Sequence, residues 1–276
     1  MGIWFYEDQT PLTRIGVKTK QMLHLEKSPY QEIMVIDTWE YGRLLALDEV
    51  IQITELDEFA YHEMLVHVPL CSHPNPEQVL VVGGGDGGSV REVCRHDTVQ
   101  RVVLAEIDER VIQTAIDFFP TVSCALKDNP RLDIQVGDAI DYVHDHPNSF
   151  DVIIVDSSDP VDHGEGLFKR SFYEDVYSAL KPGGMVAVQG ESPWLHQDLV
   201  KRIYGDLQDI FPVADIFWSN IPTYPTGAMV FPFGSKGTVP RKPVRKPNGV
   251  LNYYSEDMHH SAFLIPEYLK RLLGRD

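Results

Sequence analysis

An aspartate, Asp86, sits inside a glycine turn in the stretch VLVVGGGDGG, which runs from Val79 to Gly88. A strand followed by such a turn ordinarily cradles phosphate on backbone N–H groups at a helix N-terminus. Gly83, Gly85 and Gly88 satisfy the G-x-G-x-x-G spacing, and Glu106 follows where a dinucleotide fold keeps its ribose-binding acid. A dehydrogenase is therefore one reading of the turn, and Asp86 speaks against it. Two like charges about 4 Å apart repel by roughly 4 kcal/mol at an effective dielectric near 20, so a pyrophosphate is unwelcome there. Two readings of Asp86 stay open: a cap for the helix that follows, or a contact to a nucleoside that carries a positive group in place of phosphates. S-adenosylmethionine and its relatives fit the second. Glu106 then takes the ribose hydroxyls, and Asp138, in VGDA, reads the adenine, caps the helix after it, or does both.

A second acidic group lies in DVIIVDSSDP. Asp156 ends an apolar strand, and Asp159 follows three residues on. Ligands of open α/β sheets gather outside the carboxyl ends of the strands, and two carboxylates placed together there call for cations between them. The segment from Pro160 to Phe168, with Gly164 and Gly166, reads as a mobile loop able to close over a ligand. Asp151 opens the same strand at the opposite end and is expected away from the site.

The elements that must position these residues divide the chain in two. Over residues 1–60, the runs MLHLE, EIMVIDT, GRLLALD and VIQIT, with turn residues between them, predict a small antiparallel sheet. A helix is expected from about Glu55 to Leu70, ended by Pro69 and SHPNP. From Gln78 the rhythm becomes strand, helix, strand. The continuous apolar runs VLVVG, RVVLAEI, LDIQVG, FDVIIVD and MVAVQG suit strands buried on both faces of a parallel sheet. Helices are expected at Val90–His96, Glu109–Phe119, Ala139–His144, Arg170–Leu180, Leu195–Phe211 and Glu267–Leu273. VADIFWSNI and GAMVFPFG are separated by too few residues for a crossover, so they should close the sheet as an antiparallel pair. Lys236–Pro247 reads as a loop. The expected fold is α/β: a doubly wound, Rossmann-like sheet of the methyltransferase type over residues 61–276, behind a small N-terminal antiparallel β-domain.

Composition narrows the partners. A net charge of −17 argues against nucleic acid and anionic membranes, and is compatible with cationic ligands. Cys71, Cys94 and Cys124 have no CxxC spacing and read as free thiols in a reducing compartment. With no signal-like N-terminus and no spanning apolar run, a cytoplasmic protein is expected. The clusters at His144–His146 and His259-His260 lack a third ligand and read as surface histidines, so no metal is expected.

Taken together, SPYQEIMV, LDEVIQITELDEFAYHEML, HPNPEQVLVVGGGDGG, AEIDERVI, VGDA, DVIIVDSSDP, GLFKRSFY, VQGESPWLH and IPTYPTG make the chain resemble the polyamine aminopropyltransferases, the spermidine synthase family, from end to end. The resemblance implies transfer of the aminopropyl group of decarboxylated S-adenosylmethionine to putrescine, giving spermidine and methylthioadenosine. It implies Asp156 as general base; Gln31, Glu106, Asp138 and Ala139 around the methylthioadenosine moiety, with Gln189 a weaker candidate; and Asp86 on the donor's ammonium. Tyr61, His62, Asp86, Asp156, Asp159 and Tyr224 are implied on the amine side, with no metal, no covalent intermediate, and a homodimer or homotetramer. Where many relatives carry Gly-Pro in the lid, this chain has Asp162-His163. Transfer to agmatine, cadaverine or spermidine, N-methylation of putrescine from ordinary S-adenosylmethionine, and a non-catalytic polyamine-binding module remain as other readings.

Overall fold

Short aliphatic runs, buried on both faces over residues 33–36 and 44–46, build the first unit. β1 (Ile3–Thr10), β2 (Thr13–Lys27), β3 (Glu32–Thr38), β4 (Arg43–Leu47) and β5 (Val50–Thr54) pair antiparallel in that order. The computed structural model describes residues 2–157 and 162–275, without the side chains of residues 162–164 and 225. β1 and the first part of β2 extend the sheet beyond the expected runs. Ile3, Trp4 and Tyr6 of β1 are exposed, so apolar character there does not track burial as it does in β3 and β4.

The second unit carries a sheet of seven strands: β6 (Gln78–Gly83), β7 (Arg101–Glu106), β8 (Leu132–Val136), β9 (Phe150–Asp156), β10 (Leu180–Val188), β11 (Val213–Asn220) and β12 (Ala228–Ser235), in the order β11-β12-β10-β9-β6-β7-β8. β6 to β10 are parallel, and β12 runs antiparallel between β10 and β11, the closing pair expected from the sequence. The central strands are apolar throughout because both of their faces are covered. Val79, Val81, Val152 and Ile154 pack with α1 (Glu58–Ser72) on one face. Leu80, Val82, Ile153 and Val155 pack on the other against α4 (Ala139–His144), α5 (Arg170–Ala179) and α6 (Gln197–Ile210). α2 (Gly88–Val93), α3 (Glu109–Phe118), α7 (Glu256–Ala262) and α8 (Glu267–Leu272) complete the helices. Among the described residues, no helix is long and apolar enough to cross a membrane.

Three expectations need correction. Pro69 does not end α1, which continues to Ser72. Proline removes one helical donor, but the helix is buried nearly all round, and the Ser72 hydroxyl and the His73 N–H return to Val68 O and Pro69 O. α7 falls in a stretch with no helix expected; Ser255 caps it through the Met258 N–H. His259 is not a surface histidine. It is fully buried, its ring held between the Tyr254 hydroxyl and the Pro240 carbonyl of the expected loop.

The strand order reverses between β6 and β9, one strand's successor lying to its right and the other's to its left. Gly83 pairs directly with Asp156 there, so the glycine turn and the fourth strand's terminal acid open onto one crevice.

Candidate active site

Backbone geometry brings the two acids together. Gly84 has φ +71°, and a Cβ there would lie 2.7 Å from Asp156 Oδ2, so glycine is required for the turn to pass this close to the carboxylate. Gly88 serves a different approach. A methyl on it would overlap the His62 ring, which lies flat against the start of α2.

Asp156 is buried and held at both oxygens: Tyr61 donates to Oδ1 at 2.7 Å and Ser89 to Oδ2 at 2.6 Å. Burial pushes its carboxyl above the usual range, and nearby Asp86 pushes the same way, while His62, Ser89 and Tyr61 oppose them. Asp86 accepts from Gly88 N–H at 2.7 Å, so it does cap the turn, and the same Oδ1 lies 3.3 Å from His62 Nε2. Burial alone would raise the Asp86 carboxyl, yet the His62 charge brings it below its ordinary value. His62 is completely buried, with Nδ1 2.6 Å from Glu58 Oε2. Burial disfavours its cation, but Asp86 and Glu58 outweigh burial and drive the ring's pKa well up.

Asp86 and Asp156 border a cavity of about 250 Å³ that also meets Gln31, Tyr61, Glu106, Asp138, Ala139, Gln189 and Tyr224. Glu106 takes the N–H groups of Gly85 (3.1 Å) and Asp108 (2.9 Å), and burial lifts its carboxyl to about 7. Asp138 caps α4 through Ile140 N–H and stays exposed at the cavity edge. Tyr224 reaches the cavity from the turn after β11, anchored by its hydroxyl on Gln52 O. His62 stands behind Asp86 and is not on the cavity wall. Asp159 lies outside the described residues, as do the side chains of Asp162 and His163. Asp151 is at the far end of β9, accepting from Glu77 and Gln78 N–H.

Several contributors carry no local signal. Asp108 caps α3 and also accepts from the Ser28 hydroxyl (2.6 Å) and Gln31 Nε2 (3.0 Å), tying the loop before β3 to the catalytic unit. Asp57 accepts from Thr54 and from Thr223, fixing the turn that delivers Tyr224. Glu7 and Glu191 border the cavity as well, near enough to each other to interact. Burial raises the Glu7 carboxyl to about 7, with a further push from Glu191. Among the described residues, one group has metal-ligand geometry: His62, Asp86 and Asp156 offer atoms all within 4.8 Å of one another.

A nucleoside-sized cleft with paired acids at its centre matches what comparison finds. Residues 3–55 match the family model described as the spermidine synthase tetramerisation domain, and residues 58–243 the spermine/spermidine synthase domain. The chain belongs to the spermine/spermidine synthase family. As a member it is an aminopropyltransferase, a transferase of polyamine biosynthesis. It is 46% identical over 272 residues to a polyamine aminopropyltransferase of Thermoanaerobacter sp. (strain X514), covering 98% of each chain. It is likewise 46% identical over 274 residues to one from Moorella thermoacetica, covering 99% of this chain and 96% of the relative. Its fold superposes with TM-score 0.95 on a spermidine synthase crystallised with the transition-state analogue AdoDATO, at 38% identity over 99% of this chain and 95% of that one. The Thermotoga maritima spermidine synthase gives TM-score 0.93 at 36% identity over the same shares.

Proposed function

We propose that this enzyme transfers the aminopropyl group of decarboxylated S-adenosylmethionine to putrescine, releasing spermidine and methylthioadenosine. The observation that carries the reading is the pairing of Asp86 and Asp156 in one cavity that Glu106, Glu7 and Glu191 also border. A sulfonium, an ammonium and a diammonium brought together need several carboxylates in a water-poor cleft. The analogue bound by the related spermidine synthase supports the choice of donor class.

In this reading Glu106 accepts from the ribose hydroxyls, while Asp138, Ala139 and Gln31 border the rest of the methylthioadenosine moiety. Asp86 takes the donor's ammonium. The acceptor lies between Tyr61 and Tyr224, its far ammonium toward Glu7 and Glu191, with Asp159 and Gln189 as further neighbours. Asp156 takes the proton of the near ammonium. The freed lone pair attacks the carbon beside sulfur, the new C–N bond forms as the C–S bond breaks, and sulfur leaves with the electron pair as a neutral thioether. The Asp156 carboxyl ends with the proton. His62 lies between two carboxylates that both favour its charged form, and the step as proposed uses no metal.

The proposal also includes the division into residues 1–60 and 61–276 and a cytoplasmic homo-oligomer. The match to a tetramerisation domain and the exposed Ile3, Trp4, Tyr6 and Leu25 of the first sheet support the assembly.

Initial rates decide the reaction: putrescine with the decarboxylated donor should give spermidine, and putrescine with ordinary S-adenosylmethionine should give nothing. Methylated putrescine without spermidine overturns the reading. Diamines of about three to five carbons, agmatine and spermidine, run in parallel, rank the acceptors. Asp156→Asn should lose about 10²- to 10⁴-fold in turnover, the usual worth of a general base, with donor binding little altered. A module that only binds has no turnover to lose.

A further inference from the structure

A cation at the centre of a cation-binding site is the feature that the reaction scheme leaves unexplained. His62 does not border the cavity, yet its Nε2 lies 3.3 Å from the acid assigned to the donor's ammonium, and Asp86 and Glu58 both favour its charged form. Two buried carboxylates that share a site ordinarily keep one proton between them. A donor ammonium and an acceptor ammonium each need a carboxylate, and a shared proton would leave one without.

The geometry behind His62 addresses this. Arg91 grips Glu58 with both ends of its guanidinium, Nη1 to Oε1 and Nη2 to Oε2, each at 2.9 Å. Glu58 Oε2 in turn meets His62 Nδ1 at 2.6 Å, one turn along α1. Arg91 is itself fixed, its Nε donating to Glu92 Oε1 at 2.6 Å, while Glu92 Oε2 is held by Arg95 and His67. The ring has nowhere else to go, because Gly88 meets its face. Its charged and titratable surroundings are Glu58 and Tyr61 on α1, Asp86 on the turn, Arg91 on α2, and Asp156 at the end of β9. Both known contacts of Asp86 fall on Oδ1, so Oδ2 is left for a ligand.

We propose that Glu58 and Arg91 are positioning residues that hold His62 as a buried cation behind the two acids, so that Asp86 and Asp156 both stand ionised before any substrate arrives. Arg91 neutralises Glu58 enough to allow it in the interior, Glu58 orients and charges the ring, and the ring's charge spares the acids from sharing a proton. The inference rests on the aminopropyl-transfer reading for its purpose, but its first test does not.

In ligand-free protein labelled with ¹⁵N-histidine, with His62→Gln used to assign the signal, the His62 ring should be protonated at both nitrogens from pH 6 to pH 8. In Glu58→Gln the ring should lose a proton within that range. Acceptor kcat/KM should match wild type where the variant ring is still charged, fall behind by up to about 10³-fold just above the pH at which the ring loses its proton, the size of one charge interaction at about 4 Å at an effective dielectric near 20, and recover as pH rises further and both acids ionise. Arg91→Lys keeps the charge but loses the fork; it should move both readouts the same way and serves if Glu58→Gln does not fold. A neutral His62 in the wild-type protein at pH 7 overturns the proposal. So does an activity loss equal at every pH, which a merely structural pair would give. Failure of the wild-type protein to use the decarboxylated donor would sink the functional reading and leave the spectrum to judge the relay.

Discussion

Tyr61→Phe isolates one hydrogen bond. The ring is buried and packed against Tyr224, Phe231 and His62, with centroids 5.5, 5.6 and 5.2 Å away, and phenylalanine keeps all of that. What disappears is the hydroxyl donating to Asp156 Oδ1 at 2.7 Å. A hydrogen bond to a buried charge is worth about 1.5–3 kcal/mol. It stabilises the carboxylate and not the carboxylic acid, so its loss moves Asp156 further in the direction that burial and Asp86 already push it. The proposed base must be ionised to accept a proton. The variant should therefore trail wild type by about 10- to 100-fold in acceptor kcat/KM on the acid side of the profile, since each 1.36 kcal/mol is a factor of ten. As pH rises and both enzymes become fully ionised, the gap should narrow. Ser89→Ala, which removes the donor to Oδ2, should repeat the pattern, and Asp156→Asn should erase the acid limb. Steady-state rates across pH 6–9 at saturating donor measure it. A constant ratio at every pH would mean that Tyr61 only shapes the cavity, and a gap that widens with pH would refute the base assignment itself.

Other outcomes follow from the same geometry. Glu106 sits near pH 7 in the ligand-free protein because of burial, and ribose hydroxyls need it ionised, so methylthioadenosine binding measured by calorimetry should weaken as pH falls below about 7; Glu106→Gln should bind weakly at every pH. Glu7 is raised from 4.5 to about 7, so the folded chain holds its proton more tightly than the unfolded chain. Its stabilising contribution is complete below pH 4.5 and lost as pH rises through 7, and Glu7→Gln should raise stability at pH 8 by roughly 2–3 kcal/mol while raising the KM for putrescine. His96 and His259 are pushed down to about 2 and about 4 by burial, so the fold binds fewer protons there than the unfolded chain. Thermal melts should lose stability steadily as pH falls below 6.5. Gly88→Ala should displace the His62 ring and cut activity while leaving the far-ultraviolet spectrum unchanged.

The parts of this site legible in the sequence are those that one strand end can announce. Asp86 and Asp156 follow apolar strands at a topological switch point, where local pattern and fold class together dictate the crevice. Glu106 and Asp138 are read in the same way. Glu58, Ser89, Arg91, Glu7 and Glu191 are of another kind. Each looks like an ordinary polar residue of a helix start or strand, and its meaning lies in a partner far along the chain: Arg91 33 residues from Glu58, Ser89 67 residues from Asp156. One signal was available. Glu58 and His62 are four apart on a helix whose apolar residues, Ala60, Met64, Leu65, Val66, Val68 and Leu70, run round every side and leave no face for solvent, so a charged pair there had to be buried and therefore answered from another element. Pro69 and His259 make the same point in reverse, since both follow a local rule that tertiary packing overrides. Sequence pattern places the acids proposed to meet substrate because strand ends position them. The groups proposed to keep those acids ionised come from across the fold, and only assembled distances reveal that Asp86 faces the His62 ring as well as the cavity.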